Sequence, residues 1–332
     1  MISANTYRRS LLSASAVALA LTAVTACSSS QADSLIEVSG SSTVAPITEA
    51  IAQDGGFSVS VTAEGTADGF ARFCAGETPI NNASEAIPGS GQRTDFVAMC
   101  AENGVEFIEL PIALDALSVV RNEANSFAAD MTLTELREVW SPGSAVTRWS
   151  DIRPDWPDEP INLYGRPDGS GTFDYFTHFV VGESGEIRED YRATDDMSEL
   201  ARWIAEDANA LGFMGVGNYL AADEEFRDRI SNVAVDGVAP SRSNAQDGSY
   251  VPLTRPLFIY VSATAAADES VVALVEYYLR SVQSMLPRVF FYGLPEEAYP
   301  LVQQRFTDRA TGTMFDGDPF TDRPIMEVLQ AE

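Results

Sequence analysis

The chain has 332 residues, with 49 acidic side chains against 21 arginines and no lysine, so its formal charge at pH 7 is −28. Nucleic-acid binding requires many basic groups that neutralise phosphates, and this composition argues against DNA or RNA as a partner. Such acidity is typical of proteins that stay soluble in salty surroundings or of genomes that use little lysine, and the sequence does not separate the two explanations.

The first 26 residues have the features of a secretory signal peptide. Arg8 and Arg9 precede a mostly apolar run at residues 11–24, which is too short to span a bilayer comfortably. We therefore predict a signal peptide at residues 1–26 and an exported, folded protein. Removal of the signal peptide would leave 19 arginines against 49 acidic residues, a formal charge of −30.

The end of this segment reads V-T-A-C at residues 24–27, and small residues before a cysteine resemble the lipobox of bacterial lipoproteins. This resemblance implies that Cys27 becomes the lipid-modified first residue of the mature chain. Residues 27–35 would then be a lipidated tether, and the lipid would be the protein's only attachment to a membrane. The alternative is a free signal peptide with an incidental cysteine, because Val24 stands where leucine is commoner.

From residue 36 onward, a short apolar strand, a turn rich in Gly, Ser and Thr, and a helix follow one another repeatedly. Residues 36–46, 57–70 and 161–176 each contain such a junction, and the third includes R-P-D-G-S-G-T-F. Alternation of this kind is typical of parallel α/β units. The mature chain is long enough for two α/β lobes or one large domain.

Two longer apolar stretches, at residues 107–120 and 255–261, suit strands that leave one lobe and return to it. The pattern also predicts helices at residues 197–205 and 267–282. The second of these helices has apolar residues at helical spacing, which indicates packing against a core.

Cys74 and Cys100 are the two cysteines beyond the N-terminal segment. In an exported protein two such cysteines most simply form a disulfide, here closing a loop of about 27 residues that the chain-entropy model values at roughly 3 to 4 kcal/mol. Metal binding is the weaker interpretation, because two thiols and the single histidine, His178, do not make a four-ligand site. We predict neither a metal nor a cofactor.

The three junctions indicate anion-binding chemistry. A strand that ends in Gly, Ser or Thr and turns directly into a helix exposes unpaired backbone N–H groups at the positive end of the helix dipole. Such a site binds phosphate or sulfate without lysine. A hydroxyl that only caps its own helix would explain one junction, but three of them, one with Arg166 four residues before Ser170, favour an anion site.

The third junction is not a hydrolase nucleophile elbow, which would require glycine at the positions of Asp168 and Thr172. His178 is interpreted as a structural residue, which leaves Ser170 or Ser42 without a general base. We therefore predict a protein that is not an enzyme. A secreted phosphatase or esterase that uses either serine, and a surface receptor with no transport partner, remain alternatives.

Four segments carry a more specific signal: V-S-G-S-S-T-V-A-P at residues 38–46, R-F-C-A-G-E-T-P-I-N-N-A-S at 72–84, L-Y-G-R-P-D-G-S-G-T-F-D-Y-F at 163–176 and Y-V-P-L-T-R-P-L-F-I-Y-V at 250–261. They resemble the PstS-like phosphate-binding lipoproteins of phosphate-specific ABC transporters. The resemblance covers nearly the whole mature chain, and the R-x-D-G-S-G-T element is highly characteristic of that family.

The resemblance implies the α/β fold of a type II periplasmic-binding protein, in which two α/β lobes are joined by two crossing hinge strands and clamp an anion between them. Lobe 1 would comprise residues 36–113 plus 258–332, and lobe 2 residues 114–257. The implied function is extracytoplasmic binding of inorganic phosphate, in the periplasm or at the outer face of the cell membrane. A monomer would deliver the phosphate to ABC permease subunits with no bond made or broken.

The resemblance also implies which residues bind phosphate. They lie at the first and second junctions and in the R-x-D-G-S-G-T element: Ser42, Thr43, Val44, Thr66, Arg166, Ser170, Gly171 and Thr172. Arg166 would be the bidentate cationic donor. Asp168 would orient its guanidinium, although an aspartate before glycine also suits a turn.

At Glu85 the chain departs from well-known relatives, which have aspartate there, while other branches have a basic residue. At neutral pH phosphate still carries a proton and sulfate does not, so a carboxylate that only accepts hydrogen bonds favours phosphate. Glutamate is one methylene longer than aspartate. The sequence leaves open whether Glu85 contacts the ligand or points to solvent.

Overall fold

The computed structural model describes residues 35–168, 170–194, 196–321 and 323–331. The predicted signal peptide and the tether up to residue 34, with Cys27, lie outside these ranges. Among the described residues, none of the helices has both the length and the apolar composition needed to cross a membrane.

Strands and helices alternate along the chain. The strands are β1 (Ile36–Gly40), β2 (Val59–Thr62), β3 (Ile80–Ala83), β4 (Phe107–Asn122), β5 (Asp130–Met131), β6 (Asn162–Gly165), β7 (Arg192–Ala193), β8 (Ala210–Gly215), β9 (Ile230–Asn232), β10 (Ala234–Val235) and β11 (Thr254–Ser262). The helices are α1 (Ala45–Gly55), α2 (Thr66–Cys74), α3 (Phe96–Glu102), α4 (Leu133–Trp140), α5 (Trp149–Ile152), α6 (Gly171–Phe176), α7 (Met197–Glu206), α8 (Val216–Ala221), α9 (Glu224–Arg227), α10 (Arg242–Gln246), α11 (Glu269–Met285), α12 (Ala298–Thr307) and α13 (Ile325–Gln330). A π-helical turn, Thr177–Val181, continues α6.

The main sheet has the strand order β2-β1-β3-β11-β4-β8-β6-β7, and β9 also pairs with β4. β1 runs parallel to β2 and β3, and β6 runs parallel to β7 and β8. β11 is antiparallel to β3 and β4, and β4 is antiparallel to β8. Two groups of parallel strands are therefore joined through the antiparallel pair of β4 and β11.

β4 takes part in both halves of this sheet. Its pairing with β11 reaches Ala116, and from Leu117 onward it pairs with β8. Every residue of β4 is buried, which explains why the sequence shows a long, mostly apolar run here and not the alternation of a half-exposed strand. β4 and β11 are the two predicted connecting strands, whereas the predicted lobe boundaries stay a prediction.

α1 follows from its local sequence. Pro46 lies in the first helical turn, where its missing N–H costs nothing, and Gly56 ends the helix with a φ of 73°. Ile47 and Ile51 are fully buried, and the helix also packs against α11. Each of these side chains contributes roughly 2 kcal/mol of hydrophobic stabilisation.

The predicted disulfide between Cys74 and Cys100 is confirmed. Cys74 is the last residue of α2, and Cys100 lies in α3. Phe70 and Phe96 pack beside the bridge on the same two helices, with ring centroids 5.5 Å apart. The disulfide and this ring pair together hold α2 and α3 to each other.

Candidate anion-binding site

The carboxyl ends of β1, β2, β3 and β6 converge on a cavity of about 340 Å³. Ligands of parallel α/β sheets bind at such strand ends. Six of the predicted binding residues line this cavity: Ser42, Thr43, Thr66, Arg166, Ser170 and Gly171. The structure thus brings together residues from both parallel groups of strands.

The first junction begins at Gly40, whose φ is 113°. A Cβ at Gly40 would lie 2.1 Å from the carbonyl oxygen of Asn82, so the position requires glycine. Ser41 closes the turn: its Oγ accepts a hydrogen bond from the Thr43 N–H, and its carbonyl oxygen accepts one from the Val44 N–H, both at 3.2 Å. A ligand that uses these two N–H groups would therefore share them with Ser41.

At the second junction, α2 begins with Thr66. Thr66 Oγ1 lies 2.9 Å from Ser84 Oγ and accepts a hydrogen bond from the Ser84 N–H at 3.2 Å. Ser84, which directly follows β3, also lines the cavity. These contacts place two hydroxyl groups side by side at the ends of neighbouring strands, where each can donate to or accept from a ligand.

Glu64 adds a carboxylate to the lining of the cavity. Arg72 Nη1 lies 3.0 Å from Glu64 Oε2, and Arg72 Nε lies 3.1 Å from Glu77 Oε2. The ion pair with Arg72 offsets the negative charge that Glu64 places beside the candidate anion site.

The R-x-D-G-S-G-T element forms the opposite wall. The hydroxyl of Tyr191 donates a hydrogen bond of 2.9 Å to the carbonyl oxygen of Arg166, which fixes the start of the loop. Ser170 caps α6, because its Oγ accepts a hydrogen bond from the Phe173 N–H at 3.4 Å. Arg166 provides the positive charge in a lining made otherwise of hydroxyl groups, backbone and Glu64.

The two walls touch at Gly171 and Ser84. A Cβ added to Gly171 would lie 2.7 Å from Ser84 Oγ, closer than real Cβ atoms come. Gly171 begins α6, and Ser84 follows β3, so the two parallel groups meet at this point. The missing side chain at Gly171 permits this approach between protein groups, whether or not a ligand is bound.

The remaining predicted residues do not line the cavity. Val44 has its side chain in the core, and Thr172 is buried with its hydroxyl accepting a hydrogen bond from Arg255 Nη2 at 3.3 Å. Asp168 is exposed, and its predicted role in orienting Arg166 stays a prediction. Within the described ranges, no three His, Cys, Asp or Glu side chains are grouped in a way that could hold a metal ion.

Glu85 lies next to Ser84 and is half-buried. Although solvent reaches part of its surface, burial raises the pKa of its carboxyl group to about 7. The positive charge of Arg255 opposes this rise in pKa, and the negative charge of Asp174 adds to it. At neutral pH the Glu85 side chain is therefore divided between its protonated and ionised forms.

Sequence reasoning missed three residues of this site: Ser84, Glu64 and Arg255. Ser84 ends the N-N-A-S segment, and Arg255 lies in the T-R-P-L segment, so both fall within the stretches that carried the family resemblance. Glu64 directly precedes the Gly65–Thr66 turn. Their position at a strand end or on a connecting strand was the available signal, but their contacts depend on residues far away in the sequence.

The sequence matches the family model of the PBP superfamily domain over residues 25–281. Protein SphX of Synechocystis sp. is 38% identical over 328 residues, which cover 95% of each chain. The phosphate-binding protein PstS of Staphylococcus saprophyticus is 29% identical over 81% of this chain and 83% of its own. A crystal structure of a possible phosphate binding protein from Planctomyces limnophilus superposes with a TM-score of 0.66 and 34% identity, covering 83% of this chain and 98% of that one.

Fold and site together define a two-lobe α/β binding protein with its ligand cavity at the strand ends. The chain belongs to the PBP superfamily and, within it, to the PstS-like proteins. The fold class and the family that the sequence predicts are confirmed.

Proposed function

We propose that this protein binds inorganic phosphate outside the cytoplasm and delivers it to the permease of an ABC transporter. The observation that carries the proposal is the cavity in which Arg166 faces hydroxyl groups and strand ends from both parallel groups. Arg166 supplies a bidentate charged donor, and the hydroxyl groups supply adaptable ones. The names of the relatives, a PstS protein among them, support phosphate as the anion.

The proposed ligand set comprises Ser42, Thr43, Val44, Thr66, Arg166, Ser170, Gly171 and Thr172. Val44 would act through its backbone N–H, since its side chain is buried. The Thr172 hydroxyl would donate a hydrogen bond to the phosphate while it also accepts the hydrogen bond from Arg255. Capture would occur by closure of the two lobes, residues 36–113 plus 258–332 and residues 114–257, about β4 and β11.

Glu85 is the proposed discriminator between phosphate and sulfate. Its ionised carboxylate would accept a hydrogen bond from the proton that phosphate carries, and it would repel sulfate, which carries no such proton. Because the pKa of Glu85 is raised to about 7, we expect rejection of sulfate to be stronger at pH 8 than at pH 6. Competition by sulfate that is equal at both pH values would remove this role.

Isothermal titration of the mature protein with phosphate and with sulfate tests the proposal. We expect phosphate to bind and sulfate not to compete at pH 8. Arg166→Ala should weaken phosphate binding by about a hundredfold or more, because it removes charge-assisted hydrogen bonds to an anion. Arg229→Ala, at an exposed arginine, is the matched control for loss of one positive charge. Wild-type protein that does not bind phosphate would overturn the proposed function.

The comparisons do not favour the alternative of a phosphatase or esterase. His178 stacks on Phe320, with ring centroids 3.9 Å apart, and does not line the cavity with Ser42 and Ser170. Hydrolysis of a chromogenic phosphate ester that Ser170→Ala abolishes would revive this alternative. Unchanged phosphate uptake after deletion of the gene would favour a receptor without a transport partner.

The proposed function includes attachment to the membrane and the oligomeric state. We propose that Cys27 is lipidated and tethers the mature chain to the outer side of the cell membrane, and that the protein acts as a monomer. Incorporation of labelled palmitate that Cys27→Ala abolishes would support the tether. Release of unlabelled protein into the medium would contradict it.

A further inference from the structure

Arg255 lies on the connecting strand β11 and is nearly excluded from solvent, with 3% of its surface exposed. Its Nε and Nη2 lie 3.3 and 3.1 Å from Asp115 Oδ2 on the other connecting strand, β4. Its Nη1 donates a hydrogen bond of 2.7 Å to the carbonyl oxygen of Gly171, and Nη2 donates one of 3.3 Å to Thr172 Oγ1. A single guanidinium thus joins both connecting strands to the first turn of α6.

α6 is also held by Tyr175, one residue before the end of the helix. The hydroxyl of Tyr175 lies 2.7 and 2.9 Å from the carbonyl oxygens of Pro252 and Thr254, which it can reach as a shared donor. The Arg255 guanidinium lies 5.1 Å from the centroid of the Tyr175 ring, within range of a cation–π interaction. Tyr175 of α6 therefore bonds to the start of β11, and Arg255 of β11 bonds to the start of α6.

The guanidinium of Arg255 can join these segments in a way that a lysine ammonium cannot. A guanidinium presents several N–H donors in one rigid plane, so bonds to Asp115 and to Gly171 define the position of each relative to the other. A lysine ammonium carries similar charge but only one nitrogen at the end of a flexible chain. Gly171 lines the anion cavity, so its position relative to Arg166 determines whether the donors of the loop converge on one ligand.

Arg255 is also the positive charge shared by three carboxylates. Burial raises the pKa of Glu85, Asp115 and Asp174, and the positive charge of Arg255 opposes this rise at each of them. Other charges also act on these carboxylates. The negative charge of Asp174 raises the pKa of Glu85, and the positive charge of Arg166 lowers the pKa of Asp115. At Asp174, the charge of Asp168 raises the pKa and the charge of Arg93 lowers it. Loss of Arg255 would leave the carboxyl groups protonated up to a higher pH.

We propose that Arg255 is a positioning residue for anion binding, which aligns the turn at Gly171 and Thr172 with the rest of the cavity through its bonds to the connecting strands. This inference rests on the proposed function. It assigns to Arg255 no contact with the ligand. A purely structural role, as partner of buried Asp115, would predict loss of stability without a specific loss of affinity.

Three variants separate these two roles. Arg255→Lys keeps the charge opposite Asp115 but removes the fork. Asp115→Asn/Arg255→Gln removes both charges, so that no buried carboxylate is left unpaired if Arg255→Lys fails to fold. Arg305→Lys is the matched control, because Arg305 is also buried, with Nε and Nη2 donating hydrogen bonds to the carbonyl oxygens of Glu109 and Gly312. Phosphate affinity is measured by calorimetry from pH 6 to pH 9, and folding by urea denaturation.

We expect Arg255→Lys and the double variant to fold and to bind phosphate roughly tenfold to a hundredfold more weakly than wild type, since hydrogen bonds to Gly171 and Thr172 are lost. Arg305→Lys should lose stability and keep wild-type affinity. In the double variant, the pH dependence of affinity should also shift to higher pH, because the guanidinium no longer lowers the pKa of Glu85 and Asp174.

Wild-type affinity in Arg255→Lys or in the double variant would overturn the inference, and so would an equal loss of affinity in Arg305→Lys. These outcomes are distinct from failure of the proposed function, in which the wild-type protein itself does not bind phosphate.

Discussion

Replacement of Glu85 by glutamine should make the protein more stable at alkaline pH and should alter how its stability depends on pH. In the folded chain, burial raises the pKa of Glu85 from the ordinary 4.5 to about 7. Between these two values the unfolded chain is ionised while the folded chain still holds the proton. Stability from this group is therefore greatest at low pH and is lost as the pH rises through about 7.

The size of the effect follows from the two pKa values. Proton linkage at about 1.4 kcal/mol per pH unit predicts that this group lowers the free energy of unfolding by about 2.5 kcal/mol between pH 5 and pH 8. The glutamine in Glu85→Gln does not titrate, so the variant does not undergo this fall in the free energy of unfolding. The difference in unfolding free energy between the variant and wild type should therefore shift by about 2.5 kcal/mol in favour of the variant over that interval.

Urea denaturation without phosphate at pH 5, 6, 7 and 8 measures this difference. Burial raises the pKa of Glu109 to about 7 as well, but Glu109 is present in both proteins and cancels. Glu102→Gln, at an exposed glutamate of α3, controls for the substitution itself. A difference between Glu85→Gln and wild type that stays constant from pH 5 to pH 8 would refute the reasoning.

Two further predictions follow from the geometry. Gly171→Ala should weaken phosphate binding by roughly 1 to 3 kcal/mol, because its Cβ would lie 2.7 Å from Ser84 Oγ and force the two walls apart. Calorimetry should show partial recovery of affinity in Gly171→Ala/Ser84→Ala, and no recovery would contradict this clash. Cys74→Ser/Cys100→Ser should lower the free energy of unfolding by roughly 3 to 4 kcal/mol, since the bridged residues are 26 positions apart. Urea denaturation that gives equal stability with and without the bridge would argue against this value.

The sequence by itself was sufficient for the elements with a strong local signal. The strand at Ile36–Gly40 and the helix at Glu269–Met285 follow from apolar periodicity, and β4 follows from its long apolar run. The pairing of Cys74 with Cys100 follows from counting cysteines in an exported chain. The R-x-D-G-S-G-T element and its neighbours were enough to indicate the family and an anion site.

Elements without such a signal could not be predicted. β5 and β10 have two residues each and exist because Ala234 and Val235 pair with Asp130 and Met131, more than a hundred positions away. No window of local sequence contains that information. The short β7 likewise depends on its pairing with β6.

The sequence determined which chemical groups the site could use, because the glycine turns, the hydroxyl groups and Arg166 can be identified from the order of residues along the chain. Only the tertiary structure decided where those groups point. It placed Ser84 on the cavity wall, turned the Thr172 hydroxyl toward Arg255, and partly buried Glu85 so that the pKa of its carboxyl group rises to about 7. The reason is that side-chain direction, burial and charge proximity are set by contacts between distant segments, and Ser84, Gly171 and Arg255 become neighbours only when both connecting strands are in place.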